Sequence, residues 1–502
     1  VVLAAVAFVV VHLRGRGTGT ALGSDVSASI PTSDGVQLSA QVISPGGSGP
    51  FPLLVMPASW NSPAQEYRTV GSAFAAAGVQ VVAYAQRGFR GSGGEADLGG
   101  ARTQKDVSDV IDWALKHTHA DPNRIGLFGV SYGGGVSLLA AARDSRIKAV
   151  VATSTWTDLG AALAPHGTPN IAGLGWIFDA PDAADHLTPQ LQQLNNDRKN
   201  DPAAAAALLA EMSKTRSADR VVSAINRNGP AIMLANAFND SLLDPTSLVS
   251  FFDKLHTPKR LQLAPGDHGG PELPGLFGRP DPTVKTAAKW IDHYLNGTDN
   301  GIQRGGPVVL LDGATGASHS YKSWPAAQTT LQLGTPGSAD SLAADASATW
   351  SSPLTTGTES GASIGTQRIE STDTYQPTTI SIGSVQQAHA LMWNAPAVSS
   401  PMRVDGTPLL RLHVAASTPS VSLFAYLYDV NGSGLATLVT YAPTTVSAGD
   451  VSVTMRPLSW TVRAGHHLAL VVDTADPNFA AAEPAGATAT LSSPGSLSVA
   501  AG

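Results

Sequence analysis

The chain has 502 residues, a formal net charge of −7, 14% charged and 43% hydrophobic residues, and no cysteine. This length spans more than one domain, the composition excludes a disordered chain, and the mild acidity excludes a nucleic-acid footprint, so no nucleic acid is expected as a partner. Without cysteine there are no disulfides, no thiolate nucleophile, no iron–sulfur cluster and no Cys-type zinc site.

Residues 1–13, VVLAAVAFVVVHL, form an apolar run shorter than the ~20 residues that a spanning helix needs. Arg14, Arg16 and a Gly/Thr/Ser-rich stretch from Gly15 to Ser29 follow and read as a linker. Residues 1–24 are therefore expected to be a signal-peptide remnant or membrane anchor with its linker, and the protein extracytoplasmic, secreted or membrane-anchored through residues 1–13.

From Val36 to about Thr298, short apolar strands alternate with helical stretches. Strands are predicted over 36–44, 51–57, 79–85, 124–130, 147–153, 231–237 and 259–264, and helices over 64–77, 104–117, 132–143, 246–256 and 283–295. Near-continuous apolar strands between helices mean a mostly parallel sheet covered on both faces. Residues 157–230 interrupt this rhythm with Ala-, Asp- and Pro-rich helical patterns and read as a helical cap inserted into the α/β domain, 25–306. Beyond Pro307 the helical period gives way to short Val/Thr/Ser/Leu runs with turn residues, among them 408–414, 420–428, 436–441, 451–455 and 467–473. Asn431-Gly432 is a hairpin signal. Residues 307–502 are expected to form an all-β sandwich or jelly roll, with 336–372 as a long surface loop.

Gly129-Val130-Ser131-Tyr132-Gly133 is a G-x-S-x-G pentapeptide between a predicted strand and a predicted helix. That context suits a nucleophile elbow. The chain turns sharply there, bulky side chains at 129 and 133 would collide with backbone, and the helix N-terminus offers N–H groups to a developing oxyanion. A serine hydroxyl needs a base and the base an orienting acid. The turns after strands 231–237 and 259–264 carry Asn239-Asp240 and Gly266-Asp267-His268. They lie at the strand ends where such a site sits, so Asp240 and His268 are the expected acid and base. Asp244 is the rival acid, but it precedes Pro245 and an apolar helical run and reads as a helix cap. No HExxH pattern, Gly-rich dinucleotide loop or P-loop occurs, so neither a metal nor another cofactor is expected.

Further motifs accompany the elbow: Tyr84-Ala85-Gln86-Arg87-Gly88 with Ser92-Gly93-Gly94, the run Asp106 to Trp113, Gly406-Thr407-Pro408-Leu409, Tyr428-Asp429-Val430, and Ala464-Gly465-His466. With Ser131, Asp240 and His268 in that order, the chain resembles the X-Pro dipeptidyl-peptidase and cocaine-esterase-like hydrolases along most of its length. The resemblance implies an α/β-hydrolase domain with a helical cap insertion and a C-terminal all-β jelly-roll-like domain. It also implies a serine hydrolase acting on a small-molecule or peptide acyl substrate through an acyl-enzyme. The family often places a tyrosine after the proline that ends the first core strand, whereas here Pro57 is followed by Ala58-Ser59-Trp60. The oxyanion hole is then expected to combine the Tyr132 N–H with a donor from the 58–60 loop, either its backbone or the Trp60 indole. Arg87 and Asp109 match family positions and read as a structural ion pair or loop clamp. In the cap region Trp156, Trp176 and Phe178 are candidate apolar walls of a substrate pocket. Ester hydrolysis is favoured over amide hydrolysis because no carboxylate site for a free amino terminus is evident. The alternatives are an X-Pro dipeptidyl amidase and a non-catalytic surface glycan-binding protein.

Overall fold

In the core strands successive side chains feed two different cores. Leu53 and Val55 enter one apolar cluster and Leu54 and Met56 the other, as the two-residue period of a strand requires in a sheet covered on both faces. The computed structural model describes residues 22–180, 186–367, 369–371 and 375–501.

The first sheet has ten strands: β1 (Leu22–Pro31), β2 (Gln37–Pro45), β3 (Phe51–Pro57), β4 (Gln80–Tyr84), β5 (Ala120–Val130), β6 (Ile147–Thr153), β7 (Ala231–Ala237), β8 (Lys259–Ala264), β9 (Val308–Leu311) and β10 (Ser318–Tyr321). Their spatial order is β1-β2-β4-β3-β5-β6-β7-β8-β9-β10. The strands from β4 to β9 run parallel, and β1, β2 and β10 are antiparallel additions at the edges. Helices α1 (Arg68–Ala76), α2 (Ala101–His117) and α3 (Tyr132–Arg143) follow β3, β4 and β5. The cap between β6 and β7 holds α4 (Leu159–Leu163), α5 (Ile171–Phe178), α6 (Pro189–Asn200), α7 (Pro202–Arg216) and α8 (Val222–Asn228). Its helix starts are marked in the sequence: Asp158, Asn170 and Asp201 each accept a main-chain N–H three residues on. Helices α9 (Thr246–Lys254), α10 (Leu273–Leu276) and α11 (Pro282–Asn296) complete the α/β unit.

Two antiparallel sheets form the C-terminal sandwich. One is built around Met402–Ala416 and Thr488–Ala501, the other around Val421–Val430. They enclose a separate apolar core that includes the fully buried Trp393. The Asn431-Gly432 turn joins two of its strands, with the Asn431 side chain accepting the Ser433 and Leu435 N–H groups.

Three expectations need correction. The domain boundary at 306/307 is displaced, because Val308–Leu310 pairs in parallel with Leu261–Leu263 and the α/β sheet continues to Tyr321. A short Val/Leu run carries no period that says which sheet it will join. The linker expected over Gly15–Ser29 and the boundary at 24 overlap β1, an edge strand paired with Gln37–Pro45. Its polar sequence misleads because much of it faces solvent; Val26 is 51% exposed. The described residues of 336–372 are not all surface loop. The stretch includes the strand Ser351–Thr355 and the buried Trp350, whose indole N–H donates to the Leu333 carbonyl, and its end returns to the α/β domain. The apolar run 1–13 lies outside the described residues. Among the described residues no helix is long and apolar enough to cross a membrane.

Candidate active site

Strand β5 ends at Val130 and helix α3 begins at Tyr132, so Ser131 alone makes the turn, at φ 54° and ψ −119°. A non-glycine residue held there stores strain of order 1–3 kcal/mol, which the surrounding packing must impose. The flanking glycines explain how the turn closes. A Cβ on Gly129 would lie 2.2 Å from the Gly133 carbonyl, and one on Gly133 would lie 2.0 Å from the Pro57 carbonyl oxygen.

The structure brings Ser131, His268 and Asp240 together. His268 Nε2 lies 2.8 Å from Ser131 Oγ, and its Nδ1 lies 2.9 and 3.0 Å from the two Asp240 carboxylate oxygens. All three residues are buried. The remaining lone pairs of Asp240 are taken up: Oδ1 accepts the N–H groups of Leu242 and Leu243, and Oδ2 accepts the Asn236 amide. Burial works against the His268 imidazolium, and the carboxylates of Asp240, Glu370 and Glu272 outweigh it, so the ring titrates above its ordinary 6.5.

Asp244 does not face His268. Its Oδ1 accepts the Thr246 N–H, but the N-cap of helix α9 is Pro245, so Asp244, expected as the cap, stands one residue ahead of it; its Oδ2 pairs with Arg456 of the β-sandwich at 2.8 Å. Asp267 clamps the two site loops: it accepts the N–H groups of Ser241 and His268 and the Ser241 hydroxyl. The His268 carbonyl accepts the Glu370 N–H, and the Ser241 carbonyl accepts the Gln367 amide, so the C-terminal chain lies directly against the site.

Three of the donors expected in the 58–60 loop have other partners. The Ala58 N–H donates to Tyr84, the Ser59 N–H to the Glu66 carboxylate, and the Trp60 indole to the Ile177 carbonyl at 2.9 Å. The main-chain N–H groups of Trp60 and Tyr132 meet no acceptor among the described residues.

Ser131 opens on a cavity of about 20 Å³ lined by Trp60, Leu98, Tyr132, Trp156, Leu159, Leu163, Trp176, Ile177, Leu242 and Leu243. Of the expected aromatic walls, Trp156 and Trp176 take part, and Trp176 also stands edge-on to His268. Phe178 does not. It packs behind Trp60 at 6.4 Å, under the guanidinium of Arg198, because the helix turns it away from the cavity that Trp176 and Ile177 reach. Arg87 is a clamp, but its partners are Asp106 and Asp34, while Asp109 holds Ser33 and Lys105. One helical turn separates Asp106 from Asp109, and only contacts with other elements decide between them. Among the described residues no group of three or more His, Asp or Glu side chains is arranged to hold a metal.

Asn236, Asp267, Glu272, Glu370, Leu242, Leu243 and Arg456 were not predicted as site residues.

A doubly wound sheet with a serine on the strand–helix turn after its central strand defines the class, an α/β hydrolase, here fused to a β-sandwich. Residues 34–270 match the model of the X-Pro dipeptidyl-peptidases of the S15 family, and residues 300–498 match that of the X-Pro dipeptidyl-peptidase C-terminal non-catalytic domain. The chain belongs to this family of hydrolases. An uncharacterized 31.7 kDa protein of Escherichia coli is 41% identical over 88 residues, 17% of this chain and 31% of that one. The cocaine esterase of a Rhodococcus species is 28% identical over 174 residues, 31% of this chain and 29% of that one. The chain thus spans about a third of the length of these curated relatives. A CocE/NonD family hydrolase of Staphylococcus aureus superposes over 97% of both chains with a TM-score of 0.73 at 16% identity, a likeness of fold.

Proposed function

We propose that the protein is a serine hydrolase that cleaves esters of small, apolar acyl groups through an acyl-enzyme. The observation that carries this is the 2.8 Å approach of His268 Nε2 to Ser131 Oγ, with Asp240 on the opposite nitrogen. His268 takes the proton of Ser131 as Oγ attacks the carbonyl. Asp240 keeps Nδ1 protonated and stabilises the imidazolium. The oxyanion rests on the main-chain N–H of Tyr132 and, as second donor, the main-chain N–H of Trp60. His268 then protonates the leaving group, and a water activated by the same base releases the acid.

The pocket supports the ester reading. Its lining carries no carboxylate, so an ammonium held inside it would find no partner there; the buried carboxylates of Glu272 and Glu370 act on His268. The second reading, an X-Pro dipeptidyl amidase, is favoured by the family match over residues 34–270. The joined Ser131, His268 and Asp240 argue against a non-catalytic glycan-binding protein, since nothing in glycan recognition needs that geometry. An export signal in residues 1–13 remains part of the proposal.

The test is fluorophosphonate labelling followed by turnover of a matched series of acyl esters and X-Pro dipeptide amides. Labelling at Ser131 with faster turnover of apolar acyl esters is expected. Amide turnover above ester turnover would favour the peptidase, and absent labelling would sink both hydrolase readings.

A further inference from the structure

The acid turn 240–244 is held from the other domain. Arg456, between the strands Gly449–Thr454 and Leu458–Val462, is 1% exposed. Its Nη1 donates to the Asp240 carbonyl at 2.6 Å, its Nε lies 2.8 Å from Asp244 Oδ2, and its guanidinium sits 4.0 Å over the Tyr441 ring. The arginine is itself anchored in the sandwich: its N–H donates to the Tyr441 carbonyl, and its carbonyl accepts the Thr440 hydroxyl. One rigid side chain therefore grips both ends of the turn that aims Asp240 at His268.

We propose that Arg456 is a positioning residue for the reaction, so that the C-terminal sandwich sets the aim of the triad acid. This rests on the assignment of Asp240 as that acid. The physical reason is reach. The turn's own hydrogen bonds fix the carboxylate relative to Leu242 and Leu243, but they do not fix the turn relative to His268 on the next loop. Asp267 ties the loops at Ser241, Asn170 and Gln367 hold the Ser241 carbonyl, and the Asp244 N–H donates to the Ala162 carbonyl; Arg456 adds a charged tie from the sandwich at the Asp240 carbonyl itself. The planar guanidinium donates to the Asp240 carbonyl through Nη1 while its charge pairs with the Asp244 carboxylate through Nε; a lysine ammonium is a single point charge.

The experiment measures kcat, KM and Tm for Arg456→Met, Arg456→Lys, Arg456→Met/Asp244→Asn, Asp240→Asn and Arg456→Met/Asp240→Asn in the full chain. A misplaced catalytic group costs about 10²-fold, so Arg456→Met is expected to lower kcat by that order and to change KM less. Removing both buried charges in Arg456→Met/Asp244→Asn is expected to restore Tm without restoring kcat. Should Arg456→Met not fold, Arg456→Lys serves, with kcat down about tenfold at little change in Tm. In the Asp240→Asn background the Arg456→Met loss should shrink to a few-fold, because residues acting as one unit are not additive. The proposal is overturned by an unchanged kcat in the folded Arg456 variants, or by the same loss with and without Asp240. Full activity in Asp240→Asn alone would instead sink the triad assignment on which the proposal stands.

Discussion

The turn that carries Ser131 and the turn that carries Asp240 serve the same histidine and are built in different ways. At the first, the determinants are the chain's own backbone: β5 running into α3, glycines at 129 and 133, and the neighbouring strand end at Pro57, which admits no Cβ. At the second, the residues beside Asp240 supply its local hydrogen bonds, and the turn is tied to Asn236, Asn170, Asp267, Ala162 and an arginine 216 residues away. An elbow is a backbone shape, so steric exclusion specifies it locally. An acid turn is an aim, and an aim needs reference points elsewhere in the fold.

The largest effects should come from the reacting groups themselves. Ser131→Ala should remove fluorophosphonate labelling and lower kcat by about 10⁶-fold, and Asp240→Asn by about 10⁴-fold through the mis-set tautomer. Rates and labelling of the purified variants check both. A labelled Ser131→Ala protein would mean that another serine reacts.

Next, Gly133→Ala tests whether the elbow is a steric device. The added methyl cannot be accommodated without moving β3 or α3, so kcat should fall at least about 10²-fold, as expected for a displaced nucleophile. An active Gly133→Ala enzyme would show that the elbow tolerates relaxation.

Acidity separates the two turns by charge. As the proposed base, His268 must be neutral to act, so kcat/KM should rise with pH through a value above 6.5, the ordinary pKa of the imidazole. Glu370→Gln removes one of the carboxylates that raise it, so the acid limb should move to lower pH. A limb that stays in place would remove Glu370 from the electrostatics of His268.

Glu272 offers a smaller, thermodynamic test. Burial pushes its carboxyl up from 4.5 to about 7, against the opposing hydroxyls of Ser154 and Thr153. A raised folded-state pKa means that its stabilising contribution is complete below 4.5 and lost as pH rises through about 7. Relative to the native chain, Glu272→Gln should therefore gain roughly 3 kcal/mol between pH 4.5 and pH 8, read from urea midpoints. A constant difference across that range would mean that Glu272 does not titrate there.

The smallest effect is expected at the N-terminus. Deleting residues 1–21, read from the sequence as an export signal and the start of its linker, should leave kcat and Tm unchanged. Deleting 1–31 also strips the edge strand and should lower Tm. Equal behaviour of the two deletions would show that β1 contributes nothing to the sheet.

By itself the sequence determined what depends on short range. Strands 51–57, 147–153, 231–237 and 259–264 and helix 132–143 have the predicted bounds, because apolar period and turn residues act over a few positions. Ser131, His268 and Asp240, whose side chains the fold brings together, each follow a strand end in a characteristic local pattern. Tertiary structure decided the rest. Whether Val308–Leu311 joined the first sheet or the sandwich, whether Asp106 or Asp109 met Arg87, and whether the end of 336–372 met the site were settled by partners on other elements. The 58–60 loop shows the same division. Its position after Pro57 followed from the strand, but which N–H stayed free was fixed by Tyr84, Glu66 and Ile177 taking the others. Local pattern carries no record of such partners, since a hydrogen bond or ion pair is specified by where two chains meet in space and not by the residues on either side of it.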